Sequence, residues 1–116
     1  MALFGKKGKD NGPSAGSKLK VTMTNDGTEY AFTVEGRLDT LTSPELESKI
    51  NAVIGNATRL SLDLNKLEYI SSAGLRVLLG AAQGMDGKGE MVLQHVTQSV
   101  REIFELTGFI QVFNIE

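Results

Sequence analysis

Residues 69–79 read Tyr-Ile-Ser-Ser-Ala-Gly-Leu-Arg-Val-Leu-Leu and join two different hydrophobic patterns. Before them, residues 59–64 alternate polar and apolar side chains, which predicts a half-buried strand. After the glycine, residues 75–85 repeat their apolar side chains at helical spacing, which predicts an amphipathic helix. The stretch is therefore a strand-to-helix junction that carries two adjacent serines and a glycine.

The two serines, Ser71 and Ser72, stand where the predicted helix begins. A hydroxyl at this place commonly accepts a hydrogen bond from one of the first free backbone N–H groups of the helix. The same N–H groups, together with the positive end of the helix dipole, also favour a bound anion. Two interpretations follow from the residues: a serine that only caps the helix, and an exposed serine that can carry a phosphate.

The chain upstream of this junction predicts a hairpin and a first helix. Residues 18–25 and 30–35 alternate around the turn sequence Asn-Asp-Gly, which is typical of two antiparallel strands. Ser43 and Pro44 then resemble a helix start, with Ser43 as the cap and Pro44 at the first helical position. Apolar side chains at helical spacing follow as far as residue 54.

Downstream of the junction, residues 90–96 predict a strand. A third helix is expected to begin at Thr97, and Gly108 suits its C-terminal cap. Residues 109–115 predict a last strand. The predicted order is ββαβαβαβ. Strands joined through helices favour parallel pairing. We therefore expect one α/β domain over residues 18–116, with a mixed, mostly parallel sheet of about five strands and helices packed on it. Residues 1–17 predict a disordered, basic tail.

Composition argues against several classes of function. The chain has 116 residues, 12 basic and 14 acidic side chains, and no cysteine, so neither a basic nucleic-acid surface nor a thiolate metal site is expected. Its single histidine, His95, falls in a predicted strand, where a structural role is expected rather than that of a catalytic base. No apolar run is long enough to span a bilayer. We expect a cytoplasmic protein that is not an enzyme and has no cofactor, metal, membrane span or direct contact with nucleic acid.

Three local patterns resemble the STAS family, in particular its anti-sigma factor antagonist branch. They are Gly-Arg-Leu-Asp at 36–39, Leu-Asn-Lys-Leu-Glu-Tyr-Ile-Ser-Ser-Ala-Gly-Leu at 64–75, and Val-Arg-Glu-Ile-Phe-Glu-Leu-Thr-Gly-Phe at 100–109. The resemblance covers residues 18–116. It implies a protein that binds an anti-sigma factor which is also a serine kinase, and so frees a sigma factor. The kinase phosphorylates the antagonist at the helix start, and a PP2C-type serine phosphatase resets it.

The resemblance also implies site residues. Placing Gly74 on the glycine of the family pattern makes Ser72 the phosphoacceptor, with Ser71 as the alternative. Ser71 stands where the family has aspartate, and Ala73 stands where it has a second hydroxyl. The expected partner-binding residues are Asp39, Ser71, Ser72, Ala73, Gly74 and Arg76. For Asp39 a simple turn role remains open.

A second function is also open. A constitutive STAS-fold subunit of a transport ATPase or of a larger signalling assembly would use Ser72 only as a helix cap.

Overall fold

The computed structural model describes residues 19–116. The predicted tail of residues 1–17, and Lys18 at the start of the predicted first strand, lie outside the described residues. Within residues 19–116 there are five strands, three α-helices and one short 3-10 helix. In chain order they are β1 Leu19–Asp26, β2 Glu29–Leu38, α1 Ser43–Ile54, β3 Arg59–Asp63, β4 Leu67–Ile70, α2 Ser72–Met85, β5 Glu90–Gln94, α3 Gln98–Thr107 and the 3-10 helix Phe109–Gln111.

One mixed sheet joins the five strands. β1 and β2 form an antiparallel hairpin, and β2 then pairs in parallel with β3 through its first half and with β4 through its end. β5 pairs in parallel with β3, so the order across the sheet is β1-β2-β3-β5, with β4 beside the end of β2. The predicted α/β class with a mostly parallel sheet is therefore confirmed, and β3 is central, as its strict alternation indicated.

All three helices contribute to one apolar core on a single face of the sheet. Alternate residues of β2 and β3 point into it, because a strand turns successive side chains to opposite faces. The core includes Phe32 and Leu62 from the sheet, Leu46 from α1, Leu78 from α2 and Phe104 from α3, and each of these side chains is at most 1% exposed. The strand residues that point to the opposite face include the partly exposed Thr33, Ser61 and Asp63, and also Val92, which is buried.

The strand β4 was not predicted. Its two buried side chains, Leu67 and Ile70, are three residues apart, with exposed residues between them, so the strand does not alternate. A register shift between Gly36 and Arg37 of β2 accommodates this irregular pairing. Because β4 has only four residues and its burial does not alternate, the sequence pattern could not identify it as a strand.

The strand predicted over residues 109–115 is wrong. The chain instead forms the 3-10 helix, and only Ile115 makes an isolated bridge, to Leu93 of β5. Phe109 and Phe113 are four residues apart and pack edge to face at 5.6 Å, and the Phe113 N–H donates to the Phe109 carbonyl oxygen at 3.1 Å. The apolar side chains of this run therefore follow helical spacing. The observed order is ββαββαβα followed by the 3-10 helix, and it does not end in a strand.

Gly108 ends α3 in the left-handed conformation, with φ of 82°, as its position predicted. The predicted start of α1 is wrong by one residue. Thr42 is the N-cap and Ser43 is the first helical residue, so Pro44 stands at the second position. Ser43 does not cap the helix, because its hydroxyl donates instead to the Asp39 carbonyl oxygen.

Candidate functional site

The end of β2 and the end of β4 bring two loops together at the start of α2. Leu38 and Ile70 are paired across these strands, and the next residue, Ser71, donates its N–H to the Leu38 carbonyl oxygen at 2.9 Å. After these residues β2 continues into the loop that begins α1, and β4 turns directly into α2. Two predicted site regions, around Asp39 and around Ser72, therefore lie at one end of the sheet.

Ser71 is the N-cap of α2. Its backbone is extended, with φ of −95° and ψ of 176°, and its hydroxyl oxygen accepts a hydrogen bond from the Gly74 N–H at 3.3 Å. The side chain is half-buried. Of the two adjacent serines, Ser71 is thus the one that satisfies a free N–H of the helix, and the interpretation of Ser72 as the cap is wrong.

Ser72 is the first residue of α2 and is exposed to solvent. Among residues 19–116, nothing forms a hydrogen bond with its hydroxyl. The hydroxyl therefore stands free at the positive end of a helix of 14 residues, where the dipole favours added negative charge.

Gly74 packs where two strands end. A Cβ atom on this residue would lie 2.8 Å from Cγ1 of Ile70 and 2.9 Å from the carbonyl oxygen of Leu38. Only glycine allows the first turn of α2 to approach the strand ends this closely. Gly74 is itself buried, and it fixes the position of the helix start that carries Ser72.

A cleft of about 200 Å³ separates the first turns of α1 and α2. Its lining comes from both helix starts and consists of Thr40, Ser43, Pro44, Glu47, Ala73, Arg76 and Val77. Arg76 is exposed and makes no ion pair within the described part of the chain. The predicted site residues Ala73 and Arg76 therefore line the same concave surface. Ala73 directly follows Ser72 in the sequence.

Asp39 organises the loop between β2 and α1. Its Oδ1 accepts hydrogen bonds from the N–H groups of Leu41, at 3.0 Å, and Thr42, at 3.1 Å. The bond from the Thr42 N–H is the main reason why the pKa of the Asp39 carboxyl lies below its ordinary value of 3.8. The turn role of Asp39, left open by the sequence, is present in the structure, and a role in partner contact stays a prediction.

Leu41, in the same loop, was not predicted as a site residue. Its side chain is 89% exposed, although leucine is usually buried. The two hydrogen bonds to Asp39 hold the backbone of this loop, so Leu41 projects from a fixed turn beside the cleft. The sequence did offer a signal, since a large apolar side chain stands in an otherwise polar loop.

His95 lies away from these loops and just after β5. It has a left-handed backbone, with φ of 57°, and its Nδ1 lies 3.2 Å from Oδ2 of Asp63. Over residues 19–116, the acidic and histidine side chains nowhere cluster in threes as a metal site would need. No helix in that range is long and apolar enough to cross a membrane.

Comparison with known proteins places these features in a family. The STAS domain model matches residues 20–116. A Bordetella bronchiseptica protein provisionally named as the anti-sigma factor antagonist BtrV is 37% identical over 99 residues, which is 84% of this chain and 85% of the relative.

Solved structures have the same fold. An anti-sigma factor antagonist from Mycobacterium paratuberculosis superposes with a TM-score of 0.76 at 23% identity, covering 84% of each chain. The Bacillus cell fate determinant SpoIIAA in its phosphorylated form superposes with a TM-score of 0.65 at 19% identity, covering 84% of this chain and 90% of that one.

Proposed function

This chain belongs to the STAS domain family, and we propose that it is an anti-sigma factor antagonist switched by phosphorylation of Ser72. In the unphosphorylated form it binds an anti-sigma factor that is also a serine kinase, and so releases a sigma factor. The kinase transfers the γ-phosphoryl group of ATP to the Ser72 hydroxyl, which weakens the complex, and a PP2C-type phosphatase removes the phosphate. The cycle operates in the cytoplasm, where ATP is available.

The free hydroxyl of Ser72 carries the proposal. Ser71 already caps α2 and is half-buried, whereas Ser72 is exposed and makes no hydrogen bond within residues 19–116. A kinase can therefore reach Ser72 without breaking the cap. This favours Ser72 over Ser71 as the acceptor. The cap at Ser71 also fits the family pattern, which has aspartate at this position, because serine and aspartate cap helices about equally well.

The helix should tolerate the phosphate, whereas the complex should not. A phosphoserine adds about −1.5 to −2 charges and three acceptor oxygens, and a helix N-terminus stabilises such a group. A partner packed over the same loop would have to remove water from this charge. A loss of about 3 kcal/mol in binding corresponds to more than a hundredfold in affinity.

The partner surface consists of the loop at Asp39, the start of α2 and the cleft between them. Ala73 and Arg76 supply one wall of the cleft. Asp39 and Gly74 act by holding the loop and the helix start in place, through the hydrogen bonds to Leu41 and Thr42 and through the close approach to Leu38. The curated Bordetella relative, provisionally named an anti-sigma factor antagonist, supports this class of partner.

The test is affinity capture from native lysate with wild-type chain, Ser72→Ala and Ser72→Asp as baits. Ser99→Asp is the matched control, because Ser99 is also an exposed serine in the first turn of a helix, here α3. We expect a kinase-type ATPase on wild type, Ser72→Ala and Ser99→Asp, and its loss only from Ser72→Asp. After ATP is added, phosphate should map to Ser72 of the wild-type bait.

A different outcome would favour the constitutive subunit. If all four baits retain the same partner and Ser72 stays unmodified in the presence of ATP, the switch is wrong for this protein. The identity of the retained partner, for example a transport ATPase, would then define the function. Phosphate on Ser71 in place of Ser72 would move the acceptor by one residue and refute its assignment.

A further inference from the structure

Arg76 is the only charged side chain on α2. The helix reads Ser-Ala-Gly-Leu-Arg-Val-Leu-Leu-Gly-Ala-Ala-Gln-Gly-Met from residue 72 to residue 85. Arg76 is exposed, and within residues 19–116 it makes no ion pair. It stands in the N-terminal part of the helix, although the helix dipole favours cations at the C-terminal end. Helix stability therefore does not account for a cation at this position.

Arg76 follows Ser72 by four residues on the same helix. Residues at this spacing lie on one helical face, with about 5–6 Å between their Cβ atoms. Long side chains of a helix also point back over the preceding turn, so the Arg76 side chain can cover the turn that begins at Ser72. The guanidinium can therefore reach a group attached to the Ser72 hydroxyl, which makes no hydrogen bond within the described chain.

We propose that Arg76 binds the phosphate of phosphorylated Ser72 as an intrahelical ion pair. This pair forms only when Ser72 carries a phosphate, so it rests on the proposed function. A negative group four residues before a cation is the order that stabilises a helix better. The guanidinium can donate two parallel N–H groups to two phosphate oxygens, which adds geometric fit to the attraction of the charges.

The cap of α2 leaves this role to a side chain. The Ser71 hydroxyl already accepts from the Gly74 N–H, so that N–H group is not available to the phosphate. Ser71 is also neutral, and α2 has no acidic residue in its first turn. A phosphate on Ser72 therefore meets no negative charge at the start of its own helix that would compete for Arg76.

The elements around the start of α2 carry other charged side chains. Glu47 of α1 lines the same cleft as Arg76, yet the two form no ion pair. The Asp39 carboxylate accepts two backbone N–H groups of its own loop. The guanidinium of Arg37, at the end of β2, lies 4.4 Å from the centre of the Tyr69 ring and is held there by a cation–π contact. Arg76 is therefore the better candidate of the two arginines, and Arg37 is its competitor.

The pair changes the partner surface in two ways. In the unphosphorylated chain, Arg76 lines the cleft and is available to an acidic group of the partner. Once Ser72 carries a phosphate, the same guanidinium is occupied within the chain. Phosphorylation then adds negative charge to the surface and also removes its cation. The partner that fits this cleft is one that presents a carboxylate to Arg76.

A titration of the phosphate tests the pair. Phosphoserine is built into position 72 of the full chain by genetic code expansion, and phosphorus NMR follows its second ionisation. A nearby cation favours the dianion, so Arg76 should lower the pH at the midpoint. Arg76→Gln should raise this midpoint by about half a pH unit. Arg76→Lys keeps the charge without the planar fork and should retain part of the effect.

Two further arginine variants are the controls. Arg101→Gln removes an exposed arginine on α3 and should leave the midpoint unchanged. Arg37→Gln removes the competing cation and should also have little effect. Equal midpoints in the wild-type and Arg76→Gln phosphoproteins would overturn the proposal, and so would a shift that follows Arg37 in place of Arg76.

The Arg76 side chain gives a second, direct readout. Its Nε–H signal in a nitrogen–proton NMR spectrum should move when residue 72 changes from serine to phosphoserine, whereas the Nε–H signal of Arg101 should stay in place. An unmoved Arg76 signal would contradict the pair. Because the phosphate is installed without a kinase, both results are independent of the capture experiment, which tests the switch itself.

Discussion

Gly74 lies so close to Leu38 that a Cβ atom on residue 74 would stand 2.9 Å from the Leu38 carbonyl oxygen. The same carbonyl oxygen accepts the N–H of Ser71, the cap of α2. The end of β2 thus supports both the cap and the first turn of the helix. Ser72 lies in the sequence between Ser71 and Gly74, the two residues that contact Leu38. The packing of these two residues therefore leaves Ser72 on the exposed side of the helix start.

Gly74→Ala should destabilise the fold by about 2 kcal/mol, because the added methyl group overpacks a contact that includes backbone. Gly80→Ala is the matched control on the same helix, where a Cβ atom meets nothing within 4 Å. That change should stabilise the chain by about 0.5–1 kcal/mol, since alanine is the better helix former. Urea unfolding of both variants would measure the difference, and two changes of the same sign would contradict the role of Gly74.

Ser71 and Ser72 should respond differently to loss of the hydroxyl. Ser71→Ala removes the acceptor for the Gly74 N–H and should cost about 1 kcal/mol in the free energy of unfolding. Ser71→Asp should retain most of the stability, because aspartate also caps helices. Ser72→Ala removes an exposed hydroxyl without a partner in the described chain and should stay within about 0.5 kcal/mol. Thermal or urea unfolding checks all three, and a larger loss at Ser72 than at Ser71 would reverse the assignment of the cap.

Most of the sheet was predictable because its strands alternate. β3 alternates through all five of its residues, and its buried leucines are those that the sequence pointed inward. The three helices were predictable for the corresponding reason, a helical spacing of apolar side chains that the core then buries. The proposed site lies at the strand-to-helix junction. The sequence locates this junction because the alternating strand pattern ends before it and the helical spacing begins after it.

The errors arose where tertiary contacts override local pattern. β4 exists because the end of β2 offers it a partner, and nothing local distinguishes its four residues from a loop. Which of two serines caps α2 depends on where β4 ends, because Ser71 is fixed by its bond to Leu38. Both candidates at that junction are serines and suit the cap equally well, so the sequence alone leaves the choice between them open.

The Asp39 carboxylate should stabilise the fold in a pH-dependent way. Its pKa is lowered in the folded chain, chiefly by the Thr42 N–H, so its contribution is present above the ordinary value of 3.8 and is lost as pH falls through the lower folded value. Asp39→Asn keeps an oxygen acceptor without the charge. The variant should be less stable than wild type at pH 7, and this difference should shrink as the carboxylate is protonated in acid. Melting temperatures from pH 7 to pH 2 test it, and a difference that does not change with pH would exclude the charge as its cause.

Phe113 should anchor the segment that replaces the predicted last strand. Its ring is 6% exposed and packs edge to face against Phe104 at 5.3 Å and Phe109 at 5.6 Å. Phe113→Ala should lower the free energy of unfolding by about 3–4 kcal/mol, because it removes a buried ring and leaves a cavity. Val112→Ala, at a side chain that is 51% exposed, is the control and should stay within about 0.5 kcal/mol.

Phe113 also leads into the C-terminal segment that covers β5, so its loss should loosen that edge. In Phe113→Ala, the amide of Leu93, which donates to Asn114, should exchange faster than in wild type when global unfolding is accounted for. The amide of Leu62, in the central strand, should change only with global stability. Equal effects at both amides would mean that Phe113 stabilises the whole core and does not specifically hold the C-terminal segment on β5.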